Sequence, residues 1–500
     1  MEKTREQENG GRTRYAVATL LLTGGMLSCV VRGMLSVAIV AMVKTVHHPN
    51  NTDTLLEDVC PDYTPYESSD KNQDGPYDWD EQVQGEMLAS FFYGHVATQF
   101  VGGWATDKFG GRVVLGPAVF LSGVFSILSP PAANIHQCLF MALRALQGIF
   151  SGVVLPSTFV IIGRWFTLEE RARIGGFVFS ASSAGNLLCM SLSGLLVDHW
   201  GWASVFYVFG VVCVLFIVPW LYFVYDTPEV HPRISSPEKD FIIENRQASS
   251  SKQKQRVLST PWRRIMTSLP FWAAVGMSSS FLWLTNTLLI QLPSYLANVL
   301  HFNIKESGFL SSLPYLFGCI FGPVFGGLSS WLCARQYLTR MNGYRIFNGI
   351  ACIGPAILLL LIVFLGCRTT AIITCLVLTG LLQNAYYGGS VTNLLDLAPN
   401  FAGATNGISL TVSSMTGIVA PLLYGAILKG QQTLARWHIV FYISIAMCVL
   451  PYLLFLVIGA AEEQTWNRPQ LQQDEEIKLT NTENTLLGAP TKQTPLVNSA

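Results

Sequence analysis

About twelve apolar runs divide this chain, and they restrict its fold more than any other feature. They fall at Tyr15–Val43 and at about 84–106, 113–133, 137–162, 172–197 and 203–225. A second set follows at about 271–298, 308–332, 345–366, 369–392, 405–428 and 438–460. Each is close to the roughly 20 residues that carry a helix across a bilayer. In hydrocarbon every backbone N–H and C=O must be bonded within the protein, which leaves helices or closed barrels, and runs of this length are helices. Only 12% of the residues are charged, about half the share of a soluble chain. The expectation is an all-α membrane protein with two six-helix halves, 15–225 and 270–460, joined by a polar, basic loop over 226–269. Residues 1–14 form a polar N-terminus, and 461–500 read as a disordered tail.

The polar segments give the orientation. Lys and Arg collect in the N-terminus, at Lys108/Arg112, at Arg164/Arg171/Arg173, in the central loop and at Arg335/Arg340/Arg345. If the runs alternate, all of these lie on one side, which is then cytoplasmic. The acidic segment 44–83 falls on the other side, extracellular or lumenal, and carries the sequon Asn50-Asn51-Thr52, with Asn50 the expected glycan acceptor. The first run is too long for a signal peptide and lacks a small-residue cleavage site. The cysteines are scattered, mostly within apolar runs, and suggest neither a disulfide framework nor a zinc site. No basic cluster with interleaved aromatics points to nucleic acid.

Two arginines break the apolar pattern. Arg32 lies inside the first run and Arg144 inside the fourth. A guanidinium keeps its charge, and a charge at bilayer depth is costly, so it faces a cavity or a partner. The acids nearest to apolar runs, Glu86 and Asp396, lie at helix ends. The missing partner is therefore read as an anionic substrate. The competing reading has Arg32 snorkelling to a surface and Arg144 bonding the backbone of a neighbouring helix. His95 is the one titratable group left at depth and a candidate for proton coupling. Tyr93, Ser151, Asn286, Thr287, Gln291, Gln383, Asn384, Tyr387 and Ser390 are candidates for the substrate path, although polar residues also join membrane helices to one another.

Between the second and third runs stands Gly103-Trp104-Ala105-Thr106-Asp107-Lys108-Phe109-Gly110-Gly111-Arg112. It reads as a gating latch: glycines for a tight turn, Asp107 accepting from a neighbouring helix N-terminus, Lys108 and Arg112 holding the cytoplasmic side. In the second half Trp331 stands where the acid would be, which predicts a weaker latch.

This loop resembles the signature of the major facilitator superfamily. Further stretches narrow the resemblance, among them Ser90-Phe91-Phe92-Tyr93-Gly94, Gly201-Trp202-Ala203-Ser204-Val205-Phe206-Tyr207, Asp226-Thr227-Pro228, Gly308-Phe309-Leu310-Ser311-Ser312-Leu313-Pro314-Tyr315 and Asn393-Leu394-Leu395-Asp396-Leu397-Ala398-Pro399. From Arg14 to Trp466 the chain resembles the anion transporters that include sialin, the vesicular glutamate transporters and the type I sodium–phosphate cotransporters. The resemblance implies alternating access, no cofactor, a coupling ion that is sodium or a proton, and anion binding by Arg32 and Arg144. It implies a monomer in a plasma, lysosomal or vesicular membrane. The departures also carry information. Ser151 stands where sialin and the glutamate transporters have a glutamate. Phe159, Leu88 and Phe281 stand where those relatives carry histidine, histidine and arginine. The pattern leans toward the phosphate and organic-anion branch, with a sialin-like proton-coupled carrier as the rival reading. An enzyme would need a nucleophile–base or metal-ligand cluster, and no such motif is present. A non-transporting receptor would leave the two arginines and the latch unexplained.

Overall fold

The computed structural model describes residues 12–44, 75–252, 260–430 and 432–467. Asn50 and the acidic stretch around it, the sequence after 467 and the middle of the central loop lie outside these residues. Among the described residues twelve long helices form the body. They are α1 (Arg12–Met42), α2 (Glu81–Phe109) and α3 (Gly111–Ile135), then α4 (Gln137–Trp165), α5 (Ile174–Trp200), α6 (Ala203–Phe223), α7 (Leu269–Asn298), α8 (Ile304–Ala334), α9 (Arg340–Leu365), α10 (Thr369–Leu397), α11 (Pro399–Leu428) and α12 (Leu434–Ile458). Eleven of them are apolar enough to span a membrane by composition alone. The exception is α2, whose ends carry Glu81, Glu86, Asp107 and Lys108 and whose middle carries His95, Thr98 and Gln99. Its 29 residues still exceed the ~20 needed.

Several helices break where the sequence removes a backbone donor. Pro156, Pro219 and Pro293 each lack the N–H that would bond four residues back, and breaks fall at Val153, Phe216 and Gln291. In α10 the chain tightens to a 3-10 turn over Asn384–Gly388. Asn348 of α9 staples this turn, donating from Nδ2 to Ser390 Oγ at 2.8 Å and accepting from Ser390 N at 3.1 Å.

The halves meet mainly along two helix pairs, α2 with α11 and α5 with α8, with a smaller contact of α1 on α7. Phe92 packs on Gly417. At the α5–α8 crossing Gly194 and Gly308 bring the backbones together, and a Cβ on Gly308 would stand 2.9 Å from Met190 O. Both ion pairs between the halves, among the described residues, lie at the end that bears the start of α2: Lys305–Asp198 at 3.9 Å and Lys429–Asp80 at 3.7 Å. Lys429 also donates to Gln82 Oε1 and Gly430 N to Glu81 Oε2. The halves are thus tied at the predicted outer end.

Two features differ from the sequence reading. Residues 461–467 are folded: Gln464 N donates to Leu397 O, and Asn467 pairs with Asn400. Trp466, buried among Ile265, Phe271 and Leu397, gives this segment a reason to stay down. Cys367, beside the start of α10, is disulfide-bonded rather than free.

Candidate substrate site between the halves

Arg32 points from α1 into the space between the halves. Its Nη2 donates to Asn186 Oδ1 of α5 at 3.4 Å and lies 3.9 Å from Cys29 Sγ, and its buried Nε has no partner. The charge of Arg32 reaches Tyr315 of α8, Tyr387 of α10 and His95 of α2. Among the described residues no carboxylate pairs with it. The C-terminal half offers neutral groups opposite. Tyr387 packs on Phe281 and over Gly322, Asn384 packs against Gly318, and the Tyr315 hydroxyl donates to Thr285 O at 3.2 Å.

Arg144 is placed differently. It is 1% exposed. Its Nη1 donates to Val31 O at 2.9 Å and to Gln147 Oε1 at 2.7 Å, and its Nη2 donates to Arg32 O at 3.3 Å. The guanidinium lies 5.1 Å from the Phe91 ring centroid. Gln147 is held in turn by its bond to Ser129 Oγ. Five guanidinium N–H groups need acceptors, and here backbone carbonyls supply two of them.

The other candidates divide. His95 stacks on Phe91 at 5.6 Å and meets Phe92 edge-on, with Nδ1 buried and unpartnered. Ser151 shares a 2.5 Å hydroxyl–hydroxyl bond with Ser28, so the position of the relatives' acid is a neutral tie between α4 and α1. Asn286 donates to Thr416 Oγ1 while its Oδ1 stays unpartnered. Thr287 joins Tyr424 and Ser444 in a chain that links α7, α11 and α12, so it is helix glue. Gln291 is buried at the break of α7. Tyr93 is corrected: it is 48% exposed, on the outward face with Ala97, Phe100 and Trp104. Two residues of helix advance turn it about 200° from His95.

The latch loop also differs from expectation. Asp107 accepts from Arg164 of α4 at 3.1 Å rather than from a helix N-terminus. That second role belongs to Asp226, after α6, which accepts from Arg112 N at 2.9 Å. It fills the space over Gly110, whose φ of +94° suits glycine. Arg112 covers the Tyr225 ring and donates to Leu221 O; Lys108 lies over Trp104 and Phe109. Gly103 has only Pro156 nearby. Asp226 lay within a quoted motif, but its partner 114 residues away gives no local signal. In the second half the charged contact is built from other elements: Asp396 of α10 pairs with Arg340 of α9 and accepts from the Tyr344 hydroxyl at 2.5 Å.

Comparison with known proteins agrees with this architecture. A family model described as Major Facilitator Superfamily matches residues 21–367. Human sialin (Homo sapiens) is 34% identical over 91% of this chain and 90% of its own. Sodium-dependent phosphate transport protein 1 of Mus musculus is 30% identical over 91% of this chain and 95% of its own. Among solved structures, the inward-open xylose transporter XylE from E. coli superposes with a TM-score of 0.64 at 14% identity, covering 89% of this chain and 96% of that one. Such low identity supports the fold alone. The chain is a multi-pass membrane transporter and belongs to the Major Facilitator Superfamily.

Proposed function

We propose that this protein carries small organic or inorganic anions, of the phosphate and organic-anion type, by alternating access between its halves. The observation that supports this is Arg32, a permanent cation between the halves without a carboxylate partner among the described residues. A bound anion would supply the countercharge and turn an expensive buried cation into a specific one. Arg144 stands behind it and adds a second positive charge to the same region. No covalent chemistry is part of this reading. The coupling ion is sodium or a proton. With Ser151 and Ser28 bonded to each other where the relatives' acid would stand, sodium or membrane potential is the expected driver. Termini in the cytoplasm, a glycan on Asn50, a monomeric state and a plasma, lysosomal or vesicular membrane complete the reading.

A second reading, a sialin-like proton-coupled carrier of acidic sugars or amino acids, is favoured by one observation. His95, stacked on the same Phe91 ring that meets Arg144, keeps a buried Nδ1 without a partner. Uptake of labelled phosphate, glucuronate and glutamate into proteoliposomes, with and without sodium and with an imposed pH gradient, tests both. Arg32→Ala should lose about 1.5–3 kcal/mol of charge-assisted contact, roughly 10- to 100-fold in affinity. Normal transport by Arg32→Ala would end the anion-site reading. Uptake driven by a proton gradient alone, and lost in His95→Gln, would select the second.

A further inference from the structure

We propose that Arg144 is a positioning residue: it holds the α1 backbone beneath Arg32 so that the Arg32 fork faces the substrate space, and does not itself touch the anion. The inference rests on the anion-site reading of Arg32. Three contacts carry it. Arg144 donates to the carbonyls of Val31 and Arg32, the residue before the binding cation and that residue itself. Its remaining bond, to Gln147, lies on its own helix one turn on, and Gln147 is fixed by Ser129 of α3. The ring of Phe91 covers the guanidinium, and the side chain is buried to 1% exposure. For Arg144 to reach an anion it would have to release α1. Each arginine has a buried Nε without a partner, but Arg32 holds no backbone carbonyl and has one long bond, at 3.4 Å, to a side-chain oxygen. One arginine is closed in by protein and the other is left open toward a ligand.

A double-mutant cycle separates positioning from contact, because a residue that acts only through Arg32 adds nothing once that side chain is replaced. The purified full-length protein would be assayed in proteoliposomes with labelled inorganic phosphate and, in parallel, labelled glucuronate. Arg32→Gln and Arg144→Ala should each raise the half-saturation concentration about tenfold, with little change in maximal rate. Combined, they should be no more than about twofold worse than Arg32→Gln alone. A product near 100-fold would mean an independent contact by Arg144 and would overturn the proposal, as would normal transport by Arg144→Ala. Hydrogen exchange gives a second readout. The amides of Leu35 and Ser36, four residues after the held carbonyls, should exchange faster in Arg144→Ala and unchanged in Arg32→Gln. Equal exchange in both would also refute it. If Arg144→Ala fails to fold, Arg144→Lys replaces it. One ammonium can still hold Val31 O, so that variant should keep most α1 protection and transport better than Arg32→Lys. Transport no better than that of Arg32→Lys would refute the proposal. Normal transport by Arg32→Gln and Arg32→Ala would sink the site reading itself, a result distinct from failure of the cycle.

Discussion

At the end of the molecule where α1 begins, the fourth helices of the two halves close on opposite charges. In the N-terminal half the acid, Asp107, ends α2 and the base, Arg164, ends α4. In the C-terminal half the base, Arg340, opens α9 and the acid, Asp396, ends α10. The segment after each half's sixth helix then folds back as a cap. After α6 the cap is polar and charged. Asp226 binds Arg112 N, and Glu238, on the helix Ser236–Lys252, accepts from Arg14 N at 3.0 Å and pairs with its guanidinium. After α12 the contacts are amide and apolar: Asn393 to Ala460 O, Gln464 to Leu397 O, Asn400 with Asn467, and Trp466 in an apolar pocket. The two halves share a plan for closing their ends and differ in the forces that carry it out.

The largest expected effect follows from the apolar cap. Trp466→Ala should destabilise the C-terminal half by about 3–5 kcal/mol, as for other buried aromatic truncations, read as a lower unfolding midpoint in detergent. No single change in the N-terminal cap should match it. If Glu238→Ala costs as much, the division into apolar and charged caps is wrong.

Next come the latches. Asp396 is 25% exposed and takes two donors, Arg340 and the Tyr344 hydroxyl, whereas Asp107 is 66% exposed and takes its side-chain bond from one residue, Arg164. Asp396→Ala leaves a partly buried hydroxyl and a cation without their acceptor, a loss of about 1–3 kcal/mol. Asp107→Ala removes an exposed pair, for which about 0–1 kcal/mol is the usual range. Measured stability and uptake should both fall in that order. The reverse order would show that the first-half loop is the stronger latch, as its sequence alone suggests.

That last contrast shows where the sequence is readable. The spanning helices were visible because a membrane helix must be apolar over its whole length. Arg32 and Arg144 were visible because charge at that depth is rare. The latch loop of the first half is a contiguous ten-residue motif. The second-half latch is not, because its acid moved to α10, 56 residues from Arg340, and only tertiary contact joins them. The cap over α10 and α11 was hidden by its polar composition; Trp466 alone could have signalled it. The arginines looked alike in the sequence, which carries charge and depth but not the acceptors that each guanidinium meets. Tyr93 was misplaced because its neighbour His95 points the other way around the helix.

The smallest expected effect sharpens the comparison through pH. His231 sits in the N-terminal cap, wedged edge-on between Trp165 and Tyr225. Its Nδ1 accepts from Arg233 N at 3.1 Å, and its Nε2 faces Phe223 O at 3.2 Å. This arrangement calls for a neutral ring. Burial lowers its pKa below the ordinary 6.5, helped by Arg233 and Arg112 and opposed by the Phe223 carbonyl and Glu238. The unfolded chain therefore binds the proton at a higher pH than the folded one, and stability rises with pH across the interval. The contribution is complete above about pH 6.5 and is lost as pH falls below it. Unfolding midpoints measured at about pH 7.5 and about pH 5.5 should differ in the unmodified protein by the equivalent of less than about 1 kcal/mol. His231→Asn keeps an acceptor for Arg233 N and cannot titrate, so it should remove that difference. The cap after α12 has no histidine between 459 and 467, so Trp466→Ala should lower both midpoints and leave the gap between them unchanged. If the gap survives in His231→Asn, the charged cap is not the pH-sensitive half of the pair.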